Sequence, residues 1–90
     1  VSIASFWEMS IKFRRGKLES AGSVAYRKAI EERLAILPVR LEHLSALETL
    51  PSRPDHKDPF DRLILAQALG EHCPLMTADP KMIGYGVSCI

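Results

Sequence analysis

Three carboxylates in this sequence have the type and placement to do chemistry. Glu8 follows Ser5-Phe6-Trp7, Asp61 lies in His56-Lys57-Asp58-Pro59-Phe60-Asp61-Arg62, and Asp79 ends Leu75-Met76-Thr77-Ala78-Asp79. Each is expected at or within the first turn of a helix, and Glu8 and Asp79 come directly after short apolar segments that read as strands. In open α/β sheets, ligands bind beyond the carboxyl ends of the strands, which is where acids so placed would gather. Clustered carboxylates repel one another, and a divalent cation relieves the repulsion. Hard oxygen donors of this kind suit Mg²⁺ or Mn²⁺.

The same acids have a plainer reading as helix stabilisers. A carboxylate in a first turn complements the helix dipole by ~0.3–1 kcal/mol. Glu8, three residues after Ser5, completes a capping box and is spaced to pair with Lys12 at i,i+4. Asp61 is the third residue after an Asp58 cap, and Asp79 is itself a cap. Spacing leaves both readings open. Asp61 is the sharpest case: it opens an otherwise apolar helix, and a charge at the lip of a buried helix needs a partner. Arg62, Arg53 or a metal ion would supply one.

The elements that must position these acids alternate along the chain. Val1 to Ile3 reads as a strand end, followed by a helix from Ser5 that Gly16 terminates. Phe6, Met9 and Phe13 share its packed face, widened by Trp7 and Ile11. A second helix is expected from about Ala21 to Ala35, with Tyr26, Ile30, Leu34 and Leu37 at helical spacing and a charged outer side. Ile36 to Val39 reads as a short strand, and Leu41, Leu44, Leu47 and Leu50 mark another helix. After a loop over Pro51 to Lys57, Asp58 caps a helix with Pro59 at its first position. Leu63 to Leu69 is apolar almost all round, so that helix is expected to be buried on most sides. Gly70 to Pro74 closes it. Leu75 to Thr77 is expected as a strand, Asp79-Pro80 as the start of a short helix, and Val87 to Ile90 as a last strand. The alternation implies an α/β fold, a parallel sheet with helices on both faces, in one domain over residues 1–90.

Composition narrows the function classes. Ninety residues with 47% hydrophobic and 26% charged side chains describe an ordinary globular domain with a modest core. A net charge of +1 makes no whole-chain case for nucleic acid, so any such binding needs a local patch. Lys12, Arg14, Arg15 and Lys17 form the densest one, and Arg53, His56, Lys57 and Arg62 surround the later loop. These residues either contact phosphates or form solvated helix ends. His43, His56 and His72 lack metal-ligand spacing. Nothing positions Ser88, His72 and Asp79 as a triad. Cys73 and Cys89 lie in apolar surroundings and are expected as reduced core thiols. No apolar run approaches the ~20 residues of a membrane span, and with no signal peptide a cytoplasmic location is the default. The chain opens on Val1-Ser2-Ile3-Ala4-Ser5 without Met, which suggests that it is a piece of a longer protein.

Several segments together resemble a known family. Val1 to Lys12 with Gly16-Lys17-Leu18 resembles the second strand and helix of PIN-domain toxin ribonucleases of the VapC type. Leu37-Pro38-Val39 and the leucine-rich helix after it are similar to the family's next stretch. His56 to Ala68, with Asp58-Pro59-Phe60-Asp61-Arg62 at its centre, is similar to its most distinctive motif, and Leu75 to Asp79 to its fourth-strand motif. The resemblance implies a three-layer PIN-like fold, and an Mg²⁺-dependent (Mn²⁺ possible) endoribonuclease toxin of a type II toxin–antitoxin system. By position, Glu8, Asp61 and Asp79 match metal-binding acids of the family's catalytic site, and Thr77 a hydroxyl residue beside them. Lys12, Arg15 and Arg62 would hold the RNA. Implied partners are a cognate antitoxin and a second toxin subunit in a homodimer. The family's first, central strand, which carries a further acid, has no counterpart here. The chain is thus expected to be the C-terminal two-thirds of a PIN domain, marginally stable and inactive alone. The competing expectation is a non-catalytic remnant or interaction module that binds an antitoxin or partner subunit.

Overall fold

The computed structural model describes residues 1–53, 58–75 and 85. They carry four helices, α1 (Ile3–Arg14), α2 (Gly22–Glu31), α3 (Leu41–Thr49) and α4 (Pro59–Gly70). The chain divides into two compact units, Val1–Pro38 and Val39–Ile90. The expected Leu75–Thr77 strand beyond Leu75, the helix at Asp79-Pro80, the strand at Val87–Ile90 and Cys89 lie outside the described residues.

In the first unit, helix α1 begins earlier than the Ser5–Glu8 pattern predicts. Ser2 is the N-cap, and its hydroxyl accepts the Ala4 N–H at 3.1 Å. That places Ser5 inside the first turn, where it no longer has the extended backbone of a cap. The early start also shortens the strand at Val1–Ile3. Ser2 forms a parallel bridge with Leu37. The Leu37 N–H donates to the Val1 carbonyl at 2.7 Å, and the Ile3 N–H donates to the Leu37 carbonyl at 2.8 Å. Parallel pairing of the two expected strand segments is therefore present, but as a single bridge. The described residues are mostly helical and do not show the parallel sheet.

Helix α2 ends at Glu31 rather than continuing to Ala35, because Arg33 turns left-handed at φ 61°. The Arg33 N–H donates to the Ile30 carbonyl and the Leu34 N–H to the Ala29 carbonyl, the two bonds of a Schellman cap. The packed face also differs from the expected one. Gly22 and Ala29 are buried, whereas Tyr26, Ile30 and Leu34 are exposed. Small residues face inward because the helices cross closely. A Cβ at Gly22 would collide with the Phe6 carbonyl oxygen and the Ser10 hydroxyl, and would lie 2.9 Å from the Phe6 carbonyl carbon. Phe6 is buried and meets Tyr26 edge to face at 5.6 Å, a pair worth ~0.5–1.5 kcal/mol beyond its area. Trp7 and Phe13, expected on the packed side of α1, are 60% and 41% exposed.

In the second unit, helix α4 follows its sequence pattern closely. The Asp58 carboxylate accepts the Phe60 N–H at 2.9 Å, and Pro59 occupies the first turn. Leu65, Ala66 and Gln67 are buried, and Leu50, Leu65, Ala66 and Tyr85 form the core. Of the four leucines that mark helix α3, Leu47 and Leu50 face the core and Leu41 and Leu44 do not. His43 is 1% exposed and Leu50 6%, whereas Leu41 is 75% exposed and Leu44 45%. The inward line is His43, Ala46, Leu47 and Leu50, a regular helical stripe whose first member is polar. Cys73, expected in the core, is an exposed free thiol after the end of α4.

Candidate functional site

Glu8 lies in the middle of α1, past its first turn, because the helix starts at Ile3. The macrodipole therefore has little hold on it, since that effect fades within one turn. Its carboxylate faces Lys12, with Nζ 3.7 Å from one oxygen, as i,i+4 spacing predicts. The Glu8 side chain is 24% exposed and that of Lys12 is 50% exposed. Glu8 thus sits half-buried with a cation already beside it.

Asp61 is the acid in the first turn of α4, held there by the Asp58 cap and Pro59. It is half-buried. Its neighbour Arg62 turns back to the end of α3. Nη1 donates to the Pro51 carbonyl at 2.9 Å and Nη2 to the Leu50 carbonyl at 3.3 Å. A guanidinium there satisfies carbonyls that the helix end leaves open and complements the negative end of its dipole. Two of its five N–H groups are used in this way. Asp79 and Thr77 lie outside the described residues, as do His56 and Lys57. Among the described residues, no three His, Cys, Asp or Glu side chains come together as a metal-binding group. Lys12, Arg14, Arg15 and Lys17 are all exposed at the end of α1 and just beyond.

A second polar cluster went unread in the sequence. The His43 Nδ1 accepts the Arg40 N–H at 2.9 Å and faces the Gln67 amide nitrogen at 3.4 Å. Its Nε2 is 3.3 Å from Glu71 Oε1, which Arg40 Nη1 also reaches at 3.3 Å. Two donors toward Nδ1 select the tautomer with its proton on Nε2, directed at Glu71. Among the described residues, no buried side-chain nitrogen or oxygen lacks a partner, so this buried ring and amide are fully used. The signal was the spacing of His43 to Leu47 and Leu50. It is visible only once a histidine is allowed on the inward stripe.

With that geometry in place, comparison with known proteins assigns the chain to a family. A PIN-domain family model matches residues 1–86, and the chain belongs to the PIN-domain family. No curated protein and no solved structure matches it. PIN domains are generally nuclease domains and typically use divalent metal ions. Glu8 and Asp61 are hard oxygen donors, the kind such ions take, and the Glu8 carboxylate faces the Lys12 ammonium. Among the described residues, no helix is long and apolar enough to cross a membrane.

Proposed function

We propose that the chain is part of an Mg²⁺-dependent endoribonuclease, with Mn²⁺ as a substitute, that hydrolyses RNA phosphodiester bonds as the toxin of a cytoplasmic type II toxin–antitoxin system, and that it is inactive alone. The observation that carries this reading is the PIN-domain match over residues 1–86, which takes in Glu8, Asp61 and Asp79 together. In the proposal these three acids hold the cation, with the Thr77 hydroxyl beside them. A cation held by them would supply an activated water and neutralise charge on the phosphoryl group, and one of the carboxylates would take up the proton of that water. Lys12, Arg15 and Arg62 bind phosphates of the RNA, Arg62 with the N–H groups it does not spend on Leu50 and Pro51.

The exposed apolar side chains of the first unit support the proposed partners, a cognate antitoxin and a second copy of the toxin. Trp7, Val24, Ile30 and Leu34 are each between 47% and 60% exposed, apolar side chains that a partner would cover. The same surface supports the competing reading of a non-catalytic interaction module. Incubation of the full-length protein with single-stranded RNA, with and without Mg²⁺ or Mn²⁺, separates the two. Cleavage that needs the ion and falls about 100-fold or more in Asp61→Asn is expected, equal to ~2.7 kcal/mol of barrier. No cleavage with either ion would remove the nuclease reading and leave the interaction module.

A further inference from the structure

We infer that the groove between α1 and α2 is a subsite for one base of a single-stranded RNA, with Trp7 as its stacking surface and Arg14 as the contact to a neighbouring phosphate. The inference rests on RNA as the substrate in the reading above, and it needs no metal ion.

The groove has a volume of about 350 Å³ and is lined by Ile3, Phe6, Trp7 and Ser10 of α1 and by Ser23 and Tyr26 of α2. That lies near the smaller end of the ~300–1,000 Å³ usual for small-molecule sites. Gly22 also borders it, and with no side chain where it meets the Phe6 backbone, it leaves the space open. Phe6 is buried and holds Tyr26 edge to face at 5.6 Å. Trp7 and Tyr26 are both exposed, so a flat ligand reaches their rings from solvent. The walls are mainly apolar and aromatic, and Ser10 and Ser23 add hydroxyls that can donate to or accept from a base edge. Every base has a π-face, so a surface of this kind takes one with little sequence preference.

Charge selects the occupant. Residues 1–38 hold seven Lys and Arg against four Glu, a net +3, whereas residues 39–90 are net −2. A polyanion is therefore drawn to the first unit. Its densest cations, Lys12, Arg14, Arg15 and Lys17, are all exposed. Arg14 continues the line of the groove. Ile3, Trp7, Ser10 and Arg14 follow one another at helical spacing along α1, so they share one stripe. Arg14 lies ~6 Å beyond Ser10 along the axis, at about 1.5 Å per residue. A base seated against Trp7 thus brings its chain toward a guanidinium suited to phosphate. Val24, Ile30 and Leu34 lie outside the groove lining and leave a separate surface for a protein partner.

Trp7 is the single tryptophan of the chain, so its fluorescence reports on the groove. Titration with a short single-stranded RNA, without divalent ions, should quench it. A strand of abasic ribose-phosphate units of the same length keeps the phosphates but offers no base, and should leave the signal nearly unchanged. Trp7→Leu should weaken RNA binding about tenfold, read by anisotropy of the labelled strand, whereas Trp7→Phe keeps a ring and should keep most of the affinity. Both variants should bind the abasic strand as the wild type does, which separates lost stacking from a fold defect. Arg14→Gln should lower the slope of log K against log salt by about 0.7. Equal quenching by the abasic strand, or unchanged RNA affinity in Trp7→Leu, would overturn the subsite. So would quenching that follows protein concentration without RNA, the mark of a second copy in the groove, or no RNA binding at all. Ion-dependent cleavage by the full-length protein does not require this groove, so the nuclease reading stands or falls on that separate measurement.

Discussion

The two helix pairs of this chain are held together in different ways. Helices α1 and α2 meet through small residues, with Gly22 lying against the Phe6 backbone and Ala29 buried beyond it. Helices α3 and α4 meet through large apolar groups, Leu50 and Leu65 with Tyr85, around a buried histidine and glutamine. The first arrangement depends on the absence of side-chain atoms at one crossing point, the second on filling a core and satisfying every polar atom in it. The acids follow the same division. Glu8 rides on the closely crossed pair and Asp61 opens the helix of the filled core.

Substitutions can break this contrast from either side. The largest effect is expected from Leu65→Ala, which empties part of a fully buried site and should cost ~2–5 kcal/mol in urea unfolding. Amide exchange in α3 and α4 should rise with it. A cost under 1 kcal/mol would show that the second pair does not depend on that core. Gly22→Ala adds a single methyl group, yet it should cost ~1–3 kcal/mol, because backbone and not a movable side-chain tip blocks the space. Elsewhere in a helix the same change usually stabilises. A gain in melting temperature would therefore mean that the crossing is looser than its geometry.

The smallest effect has the opposite sign. Three helix ends share one cap, with Gly16, Arg33 and His72 in the left-handed position at φ 73°, 61° and 53°. Only the first is the residue that tolerates this conformation freely. His72→Gly should stabilise by about 1 kcal/mol, since a side chain in that region costs ~1–2 kcal/mol. Thermal unfolding reads this directly, and no gain would show that the His72 ring compensates its strain through contacts.

Local chemistry in this sequence was more legible than packing. Asp58-Pro59 marks the start of α4 because a cap and a preset φ act within a few residues. Gly16 marks the end of α1 for the same kind of reason. Ser5 misled because Ser2 offers the same cap one turn earlier, and Glu8 three residues beyond Ser5 looked like its partner. Tyr26, Ile30 and Leu34 have the spacing of a buried stripe but lie outside, because periodicity finds an apolar face without showing what covers it. Gly22 and Ala29 are too small to register in such a pattern, although their size lets the helices approach. For the site, the motif around Asp61 and the i,i+4 relation of Glu8 to Lys12 were both readable. The Arg62 contacts to Leu50 and Pro51 were not, since they join residues more than ten positions apart.

The ring of His43 has one more consequence. It touches the amide of Arg40, the N-cap of α3, through one nitrogen and a carboxylate at the end of α4 through the other. The nitrogen-15 shifts of a single imidazole therefore carry information about both helix ends at once. Labelled histidine would make this side chain a built-in reporter of whether α3 and α4 remain docked when RNA, metal or a partner protein is added.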